Sequence, residues 1–445
     1  IITTPASAAV SSVVCFLCLL MIKIHLLPLI CYTVLCLESA LCCASSLPNN
    51  SKLVQVQVVH RHGDRTPITP MKNEEVWKGV LPEKEILEKI SKGTKVLREG
   101  EEMAHGASGF GCWGKLSSLG VLQMIKLGDR LREDLHSING IFSTDQLKTQ
   151  NLRVVSTDFP RTIQSVQCLL VGLFPDGVPN GECIEIDVRH TNKMIPDPQP
   201  RRYKLQEDLE KELAMHPDII RKEEEMYDLA VQVSKALVDV LADGASAVSF
   251  GIGEEKEGVN DSNVPGVNAA KPLPWGQLSE ITKCLRVRNL LPVEISHEMQ
   301  EKISEHAAWR WFSMLRHPIL SSIAMDTMVS EIIQNAHKGR DGNEEFYPLH
   351  IYSAHDSTLI GLMCALRLEQ PSQWPEYASA LKIEIFEVEC EEENNSSGFK
   401  RIRRYCRFSL NDTILSCTVG GASSEAVCLD ELSSVLYSCR NGIEV

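Results

Sequence analysis

Apolar and polar positions along this chain fall into short β-branched runs alternating with longer stretches of helical period. Leu53–His60 (LVQVQVVH) is apolar and β-branched, which predicts a buried strand. Leu152–Ser156 and Leu349–Ala354 predict two more. Ala380–Val388 and Phe399–Leu410 add a further pair, hairpin-related around Asn394–Gly398. Ser118–Leu135 predicts a helix with Val121, Met124, Gly128, Leu131 and Leu135 on one face. Gly128 costs that helix about 1 kcal/mol against alanine, which points to close packing there. Ile163–Leu173 predicts a second apolar helix, and Leu205–Leu241 and Met299–Gln334 predict long ones. Residues 72–105 are charged and mixed, and predict helix and loop. Gly106–Gly114 and Gly251–Pro274 carry turn-forming residues and predict connectors.

Strands alternating with helices imply an α/β fold: a central mixed, mostly parallel sheet, helices on both faces, and a mainly helical cap insert. Residues 45–174 and 346–445 would form the core and 175–345 the cap. Three of the strands run into polar clusters, at His60–Pro67, Ser156–Thr162 and His355-Asp356. In open α/β sheets sites lie beyond the carboxyl ends of strands, so the three clusters point to one edge.

Composition narrows this picture. At 445 residues, 43% hydrophobic and 23% charged, the chain can bury a large core. A net charge of −14 argues against a nucleic-acid partner. Residues 1–44 hold Met21, Lys23, the short apolar run Leu26–Cys36 and small residues near Ala44, the pattern of a signal peptide. An uncleaved membrane anchor is the alternative. Of 16 cysteines, ten follow Cys43, an even number that suggests disulfides in an exported chain. Sequons at Asn49, Asn260, Asn394, Asn395 and Asn411 agree weakly with export.

The clusters together offer Arg61, His62, Arg65, Arg161, His355 and Asp356. A phosphomonoester presents up to two charges on three non-bridging oxygens, which arginine forks match bidentately without losing their charge. Cationic neighbours would keep His62 neutral and nucleophilic. Asp356 would protonate the leaving oxygen. Any one of these residues alone reads as a packed histidine or a solvated charge; their concurrence at three strand ends changes that. His60 stays structural, and Asp64 is expected to pair with an arginine.

Arg61-His62-Gly63-Asp64-Arg65-Thr66-Pro67 resembles the RHGxRxP signature of the histidine acid phosphatases, and His355-Asp356 resembles their second, HD, signature. Gly114–Gly120, Leu127–Arg132 and Ser156–Thr162 are similar to further segments of that family. Cys168–Phe174 is similar to its lysophosphatidic acid phosphatase branch. The resemblance runs from about residue 52 to the C-terminus and is weakest in the cap. It implies His62 as nucleophile, Asp356 as proton donor, and Arg61, Arg65, Arg161 and His355 as phosphate ligands, with no metal or cofactor. One departure is Val155, where many members carry Arg before Ser-Thr-Asp; Arg153 lies on the same strand face.

The expected function is acid phosphatase action on a small phosphomonoester, a lysophospholipid among the options, with activity highest at acidic pH. A phosphomutase using the same phosphohistidine and an inactive phosphate binder are the alternatives. A cap that mixes Lys/Arg with abundant Glu and Asp, as in Glu207–Glu212, argues mildly against phytate. Expected partners are the substrate and a second copy of the chain as a homodimer, with membrane contact only through the N-terminal segment. The expected location is the secretory pathway, secreted or in a lysosomal or vacuolar lumen; a membrane-anchored or mitochondrial protein is the alternative.

Overall fold

The computed structural model describes residues 47–48, 50–98, 111–137, 149–178, 181–198, 201–242, 271–339, 346–391 and 400–441. The leader-like stretch, the sequons at Asn49, Asn260, Asn394 and Asn395, and most of the Gly251–Pro274 connector lie outside them.

The strands are β1 (Lys52–Arg61), β2 (Thr94–Arg98), β3 (Leu152–Thr157), β4 (Ile184–Arg189), β5 (Leu349–Ala354), β6 (Ala380–Glu391), β7 (Lys400–Leu410), β8 (Thr413–Leu415), β9 (Cys417–Val419), β10 (Ala422–Ser424) and β11 (Ala426–Cys428). Nine form one mixed sheet in the order β11-β7-β6-β1-β5-β3-β4-β2, with β8 beside β7; β9 and β10 pair separately. From β1 to β2 that order is parallel throughout. β6, β7, β8 and β11 extend it with antiparallel pairs.

The helices are α1 (Glu74–Lys78), α2 (Lys84–Ser91), α3 (Ser118–Ser137), α4 (Pro160–Leu173), α5 (Lys204–Ala214), α6 (Pro217–Leu237), α7 (Trp275–Val287), α8 (His297–Leu315), α9 (Pro318–Ala324), α10 (Asp326–His337), α11 (Asp356–Ala365) and α12 (Leu429–Asn441).

Strand side chains alternate between two cores. Val58, Val154 and Ile351 pack with α3 and α4 on one face, and Val59, Val155 and Tyr352 pack with α8 to α12 on the other. Continuous burial on both faces is why these strands read as apolar runs and not as alternating ones. Val155 is fully buried there, while Arg153 reaches outward to Asp187 at 2.6 Å. A third core joins α6, α7 and α8 to Met71, Trp77 and Trp113.

Gly128 does mark a close approach. A Cβ there would sit 2.0 Å from the Leu169 carbonyl oxygen, and one on Gly172 would sit 2.1 Å from that of Ile125. The two glycines let α3 and α4 touch backbone to backbone.

Several expectations need correction. The stretch 205–241 is two helices, because Pro217 starts α6 at its first turn after His216 caps it. The stretch 299–334 breaks in the same way at Pro318 and again before Asp326. β2 lies in a segment read as helix and loop, and β4 in the stretch read as a helical insert. β2 is an edge strand carrying Lys95 and Arg98, so it shows no apolar run. The expected disulfides are absent among the nine cysteines whose side chains are described: all nine are free, and seven are buried. Cys168, Cys364, Cys406 and Cys417 pack as small apolar groups in the cores.

Candidate active site

β1, β5 and β3 are adjacent and parallel, with Arg61 opposite Ala354 and Ser156 opposite Ser353. Their carboxyl ends therefore deliver all six sequence-identified residues to one cavity of about 210 Å³. Arg61 ends β1, and His62 and Arg65 follow it. The chain can turn there because Gly63 abuts Gly120 at the start of α3; a Cβ on Gly63 would lie 2.5 Å from the Gly120 carbonyl oxygen. Ser165 accepts a hydrogen bond from the Gly63 amide at 3.1 Å. Arg161 follows Pro160 in the first turn of α4, and His355 and Asp356 open α11.

The His62 ring is buried, and its Nδ1 lies 2.8 Å from its neighbour's carbonyl oxygen, that of Gly63. A carbonyl only accepts, so Nδ1 carries the proton and Nε2 is left with its lone pair. Burial, then Arg161, Arg61, Arg65 and His355, hold its pKa well below the usual histidine value. The imidazole is thus neutral, as charge logic requires of a nucleophile. Burial and Arg161 likewise depress His355, whose Nε2 lies 3.0 Å from Thr157 Oγ1.

The arginines differ in what holds them. Arg61 reaches Asp356 Oδ2 at 2.6 Å and the Pro375 carbonyl, and stacks 4.2 Å from the Tyr377 ring centre. Arg65 reaches Glu280 Oε1 at 2.6 Å. Arg161 lies 4.4 Å from the Phe159 ring centre, and neither its Nε nor its Nη1 has a hydrogen-bond partner among the described residues. Burial, then Arg65, bring its pKa down to about 9, so it stays charged at neutral pH. A buried guanidinium with open donors is a ready anion site.

Asp356 accepts hydrogen bonds from the Ser357 amide at 2.9 Å and Trp374 Nε1 at 2.8 Å. Burial would raise its pKa. Arg61, Trp374, His355 and Arg65 outweigh that and hold it at about 2.

Sequence reasoning missed the outer wall. Glu280, Lys283, Tyr377, Trp311, Trp374 and Asp197 all line the cavity. None sits in a motif. Gly276, Ser279, Glu280 and Lys283 do share a helical spacing, and this stripe of α7 faces the cavity. Asp197 is pushed up to about 7, chiefly by burial, with Arg201 opposing and Glu210 and Asp356 adding to it. Asp64, in contrast, behaves as expected: it pairs with Arg288 at 2.6 Å and is fully buried, behind the site. His60 is also buried and held by the Arg61 carbonyl at 3.1 Å.

The sequence profile of the Histidine phosphatase superfamily (branch 2) matches residues 52–227 and 296–411. The chain belongs to that family. This histidine phosphatase is 26% identical to Counting factor 60 of Dictyostelium discoideum over 76% of its own length and 77% of the relative's. It is 24% identical to human lysophosphatidic acid phosphatase type 6, covering 76% and 74% of the two chains. Bovine lysosomal acid phosphatase is also 24% identical, with 75% and 67% covered. Among solved structures, the apo form of Hafnia alvei phytase superposes with a TM-score of 0.54 at 13% identity, over 88% of this chain and 98% of that one. Citrobacter braakii phytase gives 0.53 at 15% identity, over 87% and 98%. These two share the fold. Members of the family, acid phosphatases and phytases among them, are phosphoric monoester hydrolases, and so is this histidine phosphatase.

Proposed function

We propose that this histidine phosphatase hydrolyses phosphomonoesters through a covalent phosphohistidine on His62. The observation that carries the reading is the neutral His62 imidazole, its Nδ1 tied to the Gly63 carbonyl, facing a cavity walled by three arginines. Arg61, Arg65, Arg161 and His355 bind the phosphoryl oxygens and stabilise the charge that builds there. His62 Nε2 attacks phosphorus in line with the ester oxygen. The P–O bond breaks, its electron pair goes to that oxygen, and Asp356 supplies the proton. Water then attacks the phosphohistidine, Asp356 takes the water's proton, and phosphate leaves with His62 neutral again.

Asp356 is ionised in the free enzyme, held there chiefly by Arg61. Phosphate charge arriving at Arg61 weakens that hold and raises the pKa of the carboxyl group, so the donor form is favoured in the substrate complex and at acidic pH.

Ile68, Ile195, Trp311 and Trp374 line the cavity where the leaving group would lie. An apolar wall of this kind suits a small phosphomonoester with a partly apolar body, and the human relative's name makes lysophosphatidate a substrate to test. The leader-like segment and relatives named lysosomal and prostatic support a place in the secretory pathway.

Asp356→Asn tests the proton donor. Alkyl phosphates, with poor leaving groups, are expected to lose about 10²- to 10⁴-fold in kcat/KM, and p-nitrophenyl phosphate much less. Equal losses for both would contradict the assignment.

A further inference from the structure

The cavity holds four cationic side chains, and three of them are the arginines already assigned to phosphate. The fourth is Lys283 on α7. It lies one helical turn from Glu280 on the stripe that faces the cavity. Its side chain is 11% exposed, and its ammonium sits 5.3 Å from the Tyr377 ring centre. Arg61 lies 4.2 Å from the same ring. The ammonium therefore stands next to the phosphate ligands on the cap side.

Its counterion is poorly matched. Glu376 reaches Lys283 Nζ at 2.6 Å, but that carboxylate is 67% exposed. Arg65, by comparison, is tied to Glu280, and both of those side chains are buried. An ion pair with one largely solvated partner holds weakly, whereas a desolvated ammonium gains much from a better anion. The pair at Lys283 is the one an incoming anion can most readily displace.

We propose that Lys283 is a specificity-determining residue that binds a second anionic group on the substrate's leaving group. The preferred class is then a phosphomonoester carrying a carboxylate or further phosphate close to the ester oxygen. Glu376 occupies the ammonium until that group arrives. This rests on the phosphatase reading above and names the substrate class for it.

The test pairs 3-phosphoglycerate, whose leaving group bears a carboxylate, with glycerol 3-phosphate, whose leaving group is neutral. The quantity read is the ratio of their kcat/KM values. Lys283→Met should lower that ratio by about tenfold or more, the size of one charge-assisted hydrogen bond. Glu376→Gln should raise it, since it removes the competing carboxylate. Glu376 is on the surface, so this second variant tests the idea even where Lys283→Met fails to fold. An unchanged ratio in Glu376→Gln, or equal losses on both substrates in Lys283→Met, would overturn the proposal. Hydrolysis of both substrates that survives His62→Ala would sink the phosphatase mechanism instead, so the two failures are distinguishable.

Discussion

The chemistry at single residues turns on which charges face which. His62 is neutral through burial and cationic neighbours, whereas Asp356 is anionic because Arg61 and Trp374 outweigh its burial. Trp374 gives a way to move the proposed acid without touching the proposed phosphate ligands. Its indole N–H stabilises the ionised carboxylate, so removing it raises the Asp356 pKa. In Trp374→Phe the donor form persists to higher pH, and the alkaline limb of the kcat/KM profile moves upward. A limb that stays put, or moves down, would contradict the account. At this scale the six motif residues were legible because each cluster ends a strand. Trp374, Lys283 and Glu280 were not, since a loop tryptophan and two charges on a helix look like ordinary surface until α7 and the segment before β6 are brought to the strand ends.

Among elements, α3 and α4 are the clearest case of sequence dictating packing. Gly128 has an intrinsic cost in a helix, and the structure supplies the compensation: helix backbones in contact. In a free helix Gly→Ala stabilises by about 1 kcal/mol. Here the added Cβ would meet the Leu169 carbonyl at 2.0 Å, so Gly128→Ala should destabilise by about 1–3 kcal/mol or more. Chemical denaturation measures it; a raised midpoint would be the wrong sign. The buried central strands were readable from composition because both faces are covered. β2 was not, because an edge strand has one partner and carries charges. The helix breaks at Pro217 and Pro318 were written in the sequence, but the periodicity that runs across them masked both.

For the whole molecule, acid chemistry and acid stability pull in opposite directions. His60 is depressed to about 4 and His350 to about 3, both chiefly by burial. Their unfolded values lie near 6.5, so as pH falls from 6.5 towards 4 the unfolded chain binds protons that the folded one refuses. Stability is therefore lost across that window. Asp356 adds to the loss only below about 3.8, on the way to its folded value of about 2. Asp197, raised to about 7, opposes the trend between 7 and about 3.8 by taking a proton in the folded state. The histidines outnumber it, and His62 and His355 shift in the same direction as His60. The Tm should fall between pH 7 and pH 4, and a flat or rising Tm would mean these groups are less buried than described. Phosphate in excess should recover part of the loss by binding the folded state.

The covalent intermediate is the claim on which the rest depends. Rapid quenching into alkali during p-nitrophenyl phosphate turnover should trap a phosphoenzyme that is alkali-stable and acid-labile, with phosphate on His62. His62→Ala should yield none and lose at least about a thousandfold in rate. Turnover at the wild-type rate in His62→Ala, or phosphate trapped on any other side chain, would contradict the account.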